Sequence, residues 1–395
     1  MRTIEYPTRF EKILRTIESY LKSNDYQSAL RTIENRLNEA DDCVKTAWLH
    51  YYKGMSLFWL GDYAEAGQAF ETVRQCNIPA SEKYLRGYAY YMLGYIAFQR
   101  SLFDIATLYF NRSHKIFDSA AKEREIANTK KMMGIIAYRV GRYSDARENL
   151  EDSLQYYLKN DHHEGIIQTG IALARIHRYL GNIEEAMKLL RGSLGEARKR
   201  RYPRETALCY EFLGELELIR ENTASSIDNL IRALKISDEI APEGDLAVEI
   251  LRRLGDACTS AGKFEEARGY LERALALCDT LKDRYELGAV LRAFGNLENA
   301  SDDRALARSY FEEAKATLRM IKESFELAGT CQVYAECIFS WLVSGSISDE
   351  MRHELLEIAT SNVNEAIHLY IDLGLEAKAE DSRESLERLS CLVEP

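Results

Sequence analysis

Small and large apolar residues return along this chain at fixed distances from a recurring turn. The phrase Leu60-Gly61-Asp62-Tyr63-Ala64-Glu65-Ala66 comes back as Val140-Gly141-Arg142-Tyr143-Ser144-Asp145-Ala146, as Leu180-Gly181-Asn182-Ile183-Glu184-Glu185-Ala186 and as Ala261-Gly262-Lys263-Phe264-Glu265-Glu266-Ala267. With degenerate copies included, the turn falls at Asn24, Gly61, Ser101, Gly141, Gly181, Glu221, Gly262 and Asp302, spaced 37, 40, 40, 40, 40, 41 and 40 residues. Self-similarity at such a period is the signature of a repeat architecture. Seven residues before the turn stands a small residue, for example Gly54, Gly94, Gly134, Ala174, Gly214, Gly255 and Gly295. Five after it stands another (Ala29, Ala66, Ala106, Ala146, Ala186, Ser226, Ala267, Ala307), and nine after it a large apolar one such as Phe70, Phe110, Leu150, Leu230 or Phe311. Each copy therefore predicts two antiparallel helices joined at the turn, with no strands.

The small positions carry a physical message. Glycine inside a helix costs up to ~1 kcal/mol against alanine, so its recurrence calls for close approach of the paired helix. The helix limits agree with this. Asp25, Asp62, Asn182, Asn222 and Asp303 follow the turn residue, where a short polar side chain caps the second helix. Pro79, Pro203 and Pro242 fall between copies, where proline interrupts no helix.

Glycine at one helix position, Gly-Asp-Tyr at the turn and alanine five residues on resemble the tetratricopeptide repeat. The 40-residue spacing is similar to its longer variant, found in cell-polarity adaptors and in sensor domains of large bacterial transcription activators. The resemblance covers about residues 7 to 320 and implies a right-handed superhelix, an all-α solenoid of antiparallel helix pairs. Repeats six and eight depart from the pattern, with Glu221 and Asp302 in place of the turn glycine and Thr223 and Arg304 in place of the aromatic.

Residues 1–320 are thus expected to hold eight repeats, starting with a helix around Thr8 to Lys22, and residues 321–395 a divergent ninth repeat with capping helices, in one continuous solenoid. In the ninth repeat a first helix runs from about Ser324 to Val343, Ser344-Gly345-Ser346 make a late turn, and Asp349 to Leu373 form a long second helix. Gly374 ends that helix and Leu375 to Leu392 close the array, since a last repeat has no neighbour to cover its apolar face. No room is expected for a helix-turn-helix reader or an enzymatic head domain.

Composition narrows the function. The 395 residues contain 52 Lys and Arg against 63 Asp and Glu, a net charge of −11, which disfavours general nucleic-acid binding. The longest uncharged apolar run, Gly87 to Gln99, is too short to span a bilayer, and Met1-Arg2-Thr3-Ile4-Glu5 has no apolar leader core. Eight cysteines without a CxxC pair read as thiols in a reducing, cytoplasmic setting.

Candidate chemistry is sparse. His162-His163 has no third ligand at recognisable spacing and reads as a solvated turn, so no metal is expected. Cys331 and Cys337, six apart, do not share a helical face and read as idle thiols. Neither a phosphate loop nor a GxSxG, HExxH or GxGxxG phrase occurs, so no catalytic residue and no cofactor is expected. The basic run Arg198-Lys199-Arg200-Arg201-Tyr202-Pro203-Arg204 reads as a solvated helix end rather than an import signal or phosphate patch.

The informative surface is a stripe on each first helix. With the small residue as position 8, positions 2, 5, 9 and 12 share one face, and the resemblance implies that this face lines the concave groove, with position 13 beside it. Repeat two supplies Trp48, Tyr51, Met55, Phe58 and Trp59; repeat three supplies Tyr88, Tyr91, Tyr95 and Phe98. Repeat four turns basic with Lys131, Tyr138 and Arg139, and repeat five gives Arg175, Arg178 and Tyr179. Later copies are mixed: Glu211, then Glu249, Arg252 and Asp256, then Arg292 and Asn296. Trp48, Tyr51, Phe58, Tyr88, Tyr91 and Tyr95 are expected to form a partly exposed aromatic surface. The alternative is that part of the stripe is core. The asparagine clamp by which chaperone-tail adaptors of the family hold a carboxylate is absent, its places being taken by Met55 and Tyr52, Tyr95 and Met92, Ile135 and Met132.

The function expected is a non-catalytic interaction module that holds a peptide segment or partner helix in its groove as a scaffold or adaptor. The alternative is a signal-responsive regulator in which a peptide or small anionic ligand changes the superhelix. A phosphatase-like signalling enzyme built on such an array is the weakest reading, because the separate N-terminal bundle of those families has no counterpart in the sequence. The partner is expected to carry an acidic segment over repeats four and five, with its apolar part toward repeats two and three. The competing view is that Arg175 and Arg178 pair with Glu211 and neighbouring acids and stiffen the array.

Overall fold

A computed structural model describes residues 8–40, 42–100, 102–281, 283–321, 324–344 and 348–392. Among them there are nineteen α-helices and one short 3-10 turn, Ala80–Glu82, and no strand. Two compact units divide the chain: Met1–Arg139 with Tyr143–His162, and Val140–Arg142 with His163–Pro395.

The first unit holds four helix pairs: α1 (Thr8–Lys22) with α2 (Tyr26–Leu37), α3 (Cys43–Trp59) with α4 (Tyr63–Gln75), α5 (Tyr84–Gln99) with α6 (Phe103–Ser119), and α7 (Glu123–Arg139) with α8 (Tyr143–Lys159). In the second unit are α9 (His163–Tyr179) with α10 (Ile183–Arg200), α11 (Pro203–Ile219) with α12 (Thr223–Ile240), α13 (Asp245–Ser260) with α14 (Phe264–Leu281) and α15 (Arg284–Ala300) with α16 (Arg304–Met320). The ninth pair is α17 (Ser324–Ser344) with α18 (Asp349–Asp372), and α19 (Glu376–Ser390) follows. In each unit a first helix packs on its own second helix and on the second helix of the copy before it, the arrangement of an α-solenoid.

Close approach explains the glycines. A Cβ placed on Gly54 would lie 2.7 Å from the Phe70 ring, on Gly94 3.1 Å from Phe110, and on Gly134 2.7 Å from Leu150 and 3.1 Å from the Ala146 carbonyl oxygen. In the second unit Gly214 meets Leu230 at 2.6 Å, Gly255 meets Leu271 at 2.4 Å and Gly295 meets Phe311 at 2.8 Å. In every case the glycine seven residues before the turn receives the large residue nine after it. Phe70, Phe110, Leu150, Leu271 and Phe311 are fully buried there.

The turn is left-handed whether or not it carries glycine. Gly61, Gly141, Gly181 and Gly262 have φ between 72° and 84°, and Asn24, Glu221 and Asp302 adopt φ of 58°, 60° and 63°. The missing glycines of repeats six and eight therefore leave the turn unchanged. Ser101, the turn position of repeat three, lies outside the described residues, as do Gly345 and Ser346 of the ninth-repeat turn. Side-chain caps form at Asp25, Asp62, Asn222 and Asp303, which accept from the backbone N–H three residues on at 3.0 to 3.4 Å. Asn182 shares the backbone conformation (φ −82°, ψ 60°) but makes no side-chain cap bond.

Candidate functional site

In the first unit, α3 and α5 present the aromatic stripe. Tyr51 lies 5.7 Å from Tyr88, Tyr88 stands edge-on to Phe117 at 5.1 Å, and Tyr95 stands edge-on to Phe58 at 5.5 Å. Between the C-terminal halves of the two helices opens a pocket of about 390 Å³, walled by Met55, Phe58, Trp59, Tyr63, Tyr91 and Tyr95, with Gln99 at its margin. Trp59 is 58% exposed and stacks on Tyr26 at 6.5 Å. Tyr51, Tyr88, Tyr91 and Tyr95 are half-buried, and burial, their leading influence, raises all four described hydroxyl pKa values that shift here, those of Tyr51, Tyr52, Tyr88 and Tyr91.

Two rings depart from the expected exposed surface. Trp48 and Phe58 are buried, at 5% and 7% exposure. Trp48 is packed between Tyr52 and Tyr84, whose rings lie 5.8 and 6.5 Å away, while Phe58 is enclosed by Trp59, Tyr63 and Tyr95. Phe98 packs on Phe103 and Tyr95. Positions 2 and 12 of repeat two are therefore core, positions 5 and 9 are half-buried, and the exposed ring is Trp59 at position 13. Of the basic residues expected in repeat four, Lys131 is half-buried and Arg139 exposed, and the Tyr138 ring lies 6.2 Å from that of Tyr143.

In the second unit the stripe is ionic. Arg178 donates to Glu215 at 2.8 Å and lies over the Tyr179 ring at 4.3 Å, while Arg175 stacks on Phe212 at 4.0 Å. Arg253 bridges Glu211 at 2.8 Å and Glu215 at 2.9 Å. Arg252 sits 3.6 Å from Asp256 and 3.5 Å from Glu286, and Arg292 donates to Glu326 at 2.7 Å. The arginines expected to wait for a ligand thus meet carboxylates of their own chain, at least at Arg178, Arg252 and Arg292.

Burial makes these acids differ. For Glu215 burial favours the neutral form, but Arg253 and Arg178 outweigh it and hold the carboxyl down at about 2. For Glu211 burial, reinforced by Glu249, outweighs Arg253 and Arg175 and pushes the carboxyl up to about 8. The carboxyl of Glu286, buried beside Arg252, is pushed up to about 7.

Glu215, Arg253, Glu286 and Glu326 were not among the expected site residues. Glu215 occupies position 9 of repeat six, so the same counting reaches it. Arg253 lies one residue off the stripe, and Glu286 and Glu326 stand three residues before position 2, where the helix brings its preceding turn onto the same face. Elsewhere, His163 contacts Glu196 at 3.0 Å, and the basic run ends α10 with Arg198, Lys199 and Arg200 exposed. Cys331 and Cys337 are buried in α17, and burial pushes each thiol up to about 12. Among the described residues no group of three or more His, Cys, Asp or Glu side chains could hold a metal ion, and no helix is long and apolar enough to cross a membrane.

The recurrence of this glycine contact every forty residues or so agrees with the family comparison, in which the tetratricopeptide repeat profile matches residues 125–194, 205–280 and 246–320. The chain is a tetratricopeptide repeat protein. By structure it is similar to a Rap protein complexed with competence and sporulation factor, at 14% identity, covering 98% of this chain and 99% of that one with a TM-score of 0.64. It is also similar to the Rap conjugation gene regulator of the plasmid pLS20 in complex with the Phr* peptide, at 15% identity over 93% and 98% of the two chains, TM-score 0.61. A third similar structure is aspartyl phosphate phosphatase F from Bacillus subtilis, at 11% identity over 93% and 96%, TM-score 0.57. At these identities the likeness is one of tetratricopeptide fold. No curated protein matches the chain by sequence.

Proposed function

We propose that this tetratricopeptide repeat protein is a non-catalytic, cytoplasmic regulator that binds a peptide on its repeat surface. The observation that carries this reading is the aromatic pocket between α3 and α5. Open aromatic surface around a concave volume, here Trp59 and Tyr63 with the half-buried Tyr91 and Tyr95, is costly to leave in water and marks an interaction site. At about 390 Å³ the pocket is large enough for one or two bulky side chains of a peptide. Two similar folds are described as complexes with a peptide or with competence and sporulation factor, which supports a peptide as the class of ligand. The scaffold or adaptor role is the neighbouring reading. It shares the same surface and differs only in whether the bound segment belongs to a stable partner.

Of the residues expected to hold an acidic segment, Arg175 and Arg178 belong to the second unit. A carboxylate arriving at Arg175 and Arg178 would have to compete with Glu215, so any acidic preference arises by exchange of ion pairs. The double variant Arg175→Glu with Arg178→Glu separates recognition from stiffening: lost binding at unchanged thermal stability supports the former.

The central test uses a short random-peptide library selected against the full chain. Selected peptides should share a large apolar residue, shift the fluorescence of Trp59, and lose at least about tenfold in affinity, ~1.4 kcal/mol, in a Trp59→Ala, Tyr95→Ala double variant. Peptides that bind the double variant as well as the parent would remove the pocket from the function.

A further inference from the structure

The last helix of the second unit is anchored differently at its two ends. Its middle and its C-terminal half stay with the ninth repeat: Ser382 contacts Gln332 at 3.4 Å, Arg388 covers the Phe339 ring at 4.4 Å, and Leu389 is buried. Its N-terminal end reaches further back. Lys378 carries its ammonium over three rings, 5.5 Å from Tyr179 of α9, 5.9 Å from Phe325 of α17 and 5.7 Å from Tyr370 of α18. Three residues earlier, Leu375 is 5% exposed and lies against Gly141, in the short segment Val140–Arg142 that belongs to this unit. A Cβ on Gly141 would fall 1.8 Å from Leu375 Cδ2.

Contacts of this reach are not what a solenoid requires, because each repeat needs only its neighbours. Here the end of the array touches the turn of the fourth repeat through an apolar knob, Leu375 on Gly141, and the fifth repeat through a cation, Lys378 over Tyr179. The second contact is an unusual one for lysine. Its ammonium is partly removed from water, which disfavours the charged form, and Arg178 beside it works in the same direction. What holds it is the ring faces, together with the carboxylates of Asp381 and Glu326, which favour the charged form.

We propose that Leu375 and Lys378 form a latch that closes the second unit on itself and can open without unfolding the repeats. The knob is the N-cap residue of α19 and the cation lies in its first turn, so both let go together when that end swings away. The C-terminal half of the helix, held by Arg388 and Leu389, acts as the hinge side. Closing joins the end of the ninth repeat to Gly141 in the fourth-repeat turn and to Tyr179 in the fifth repeat, which carries Arg175 and Arg178, so the state of the latch sets whether those arginines face a closed or an open array. The proposal is independent of what the aromatic pocket binds.

Turn glycines supply the control. Gly141, Gly181 and Gly262 share the left-handed conformation, so alanine at any of them carries the same backbone strain. An added Cβ meets Leu375 only at Gly141; at Gly181 and Gly262 nothing lies within 4 Å. The measurement is amide hydrogen exchange on the full chain. In Gly141→Ala, peptides covering the first half of α19 should exchange at least about tenfold faster than in the parent, while Gly181→Ala and Gly262→Ala leave α19 unchanged. Lys378→Glu should reproduce the release, and Lys378→Arg should keep the parent protection. Equal protection of α19 in Gly141→Ala and Gly181→Ala, or in Lys378→Glu and Lys378→Arg, would overturn the latch. Should Gly141→Ala fold poorly, the lysine pair decides alone, since it changes no backbone conformation.

Discussion

At the scale of the residue, one contact repeats through the molecule: a glycine on the first helix receives a phenylalanine or leucine sixteen residues later. At Gly134 the space is bounded by the Leu150 side chain at 2.7 Å and by backbone, the Ala146 carbonyl oxygen at 3.1 Å. A side chain can rotate away, but a helix backbone cannot do so locally. Gly134→Leu should therefore force α7 and α8 apart and destabilise the first unit by ~1–3 kcal/mol, read from the urea midpoint. An unchanged midpoint would mean that the helices do not approach as described. Turn residues behave in the opposite way. Glu221 and Asp302 occupy the left-handed region that glycine favours, and the helix pairs on either side hold them there. The absence of glycine in the sequence did not predict an altered turn, because tertiary packing bears a local cost of order 1–2 kcal/mol.

At the scale of the element, α11 and α13 are tied by a charged strip as well as by apolar packing. Glu211 is fully buried, and its carboxyl is pushed up to about 8 by burial and Glu249 against the pull of Arg253 and Arg175. In the unfolded chain the same group titrates near 4.5. Between those values the unfolded chain releases a proton that the folded chain keeps, so folding stability falls as pH rises from about 4.5 to about 8. Glu215 acts in the other direction, since its depressed pKa of about 2 adds stability that is lost as pH falls from about 4.5 toward 2. Glu211→Gln should flatten the alkaline decline while leaving the acid limb intact, which thermal melts at pH 5, 6.5 and 8 will show. An identical decline in parent and variant would mean that Arg253 keeps Glu211 ionised. The aromatic helices α3 and α5 carry no comparable charge, and their open rings depend on which neighbours cover them.

At the scale of the whole molecule, stability is distributed along the array. The largest buried cluster lies in the second unit around α13 to α15, with Leu251, Leu254, Leu271, Val290 and Phe294 at its centre. The first unit has its own cluster, to which α1 contributes Phe10, Leu14 and Ile17. A terminal helix is covered on one side only, so it opens at lower cost than the copies behind it. Hydrogen exchange should therefore be fastest in α1, intermediate in α3 to α6 and slowest in α13 to α15. Protection of α1 equal to that of α5 would show that the first repeat is held by more than its contacts with α2 and α3.

The sequence by itself determined the repeat. Helix pairs, turn positions and the glycine-to-large-residue contact follow from spacings that a single chain displays, because they link residues within one forty-residue copy. The same local logic placed α17, α18 and α19 within two residues of the expected limits, and identified the capping residues, apart from Asn182. What only the tertiary structure decided are the relations between copies. Trp48 and Tyr51 sit on the same stripe, yet Tyr52 and Tyr84 bury the first and leave the second half-open. Arg178 reads as a free cation along the chain, and Glu215, 37 residues later, takes it. Lys378 lies on a helix outside the repeat register, and nothing near it in sequence announces Tyr179. The physical reason is common to all three: whether a ring is surface or core, and whether a charge is available or paired, depends on side chains supplied by another copy, whose distance no periodicity within a copy encodes.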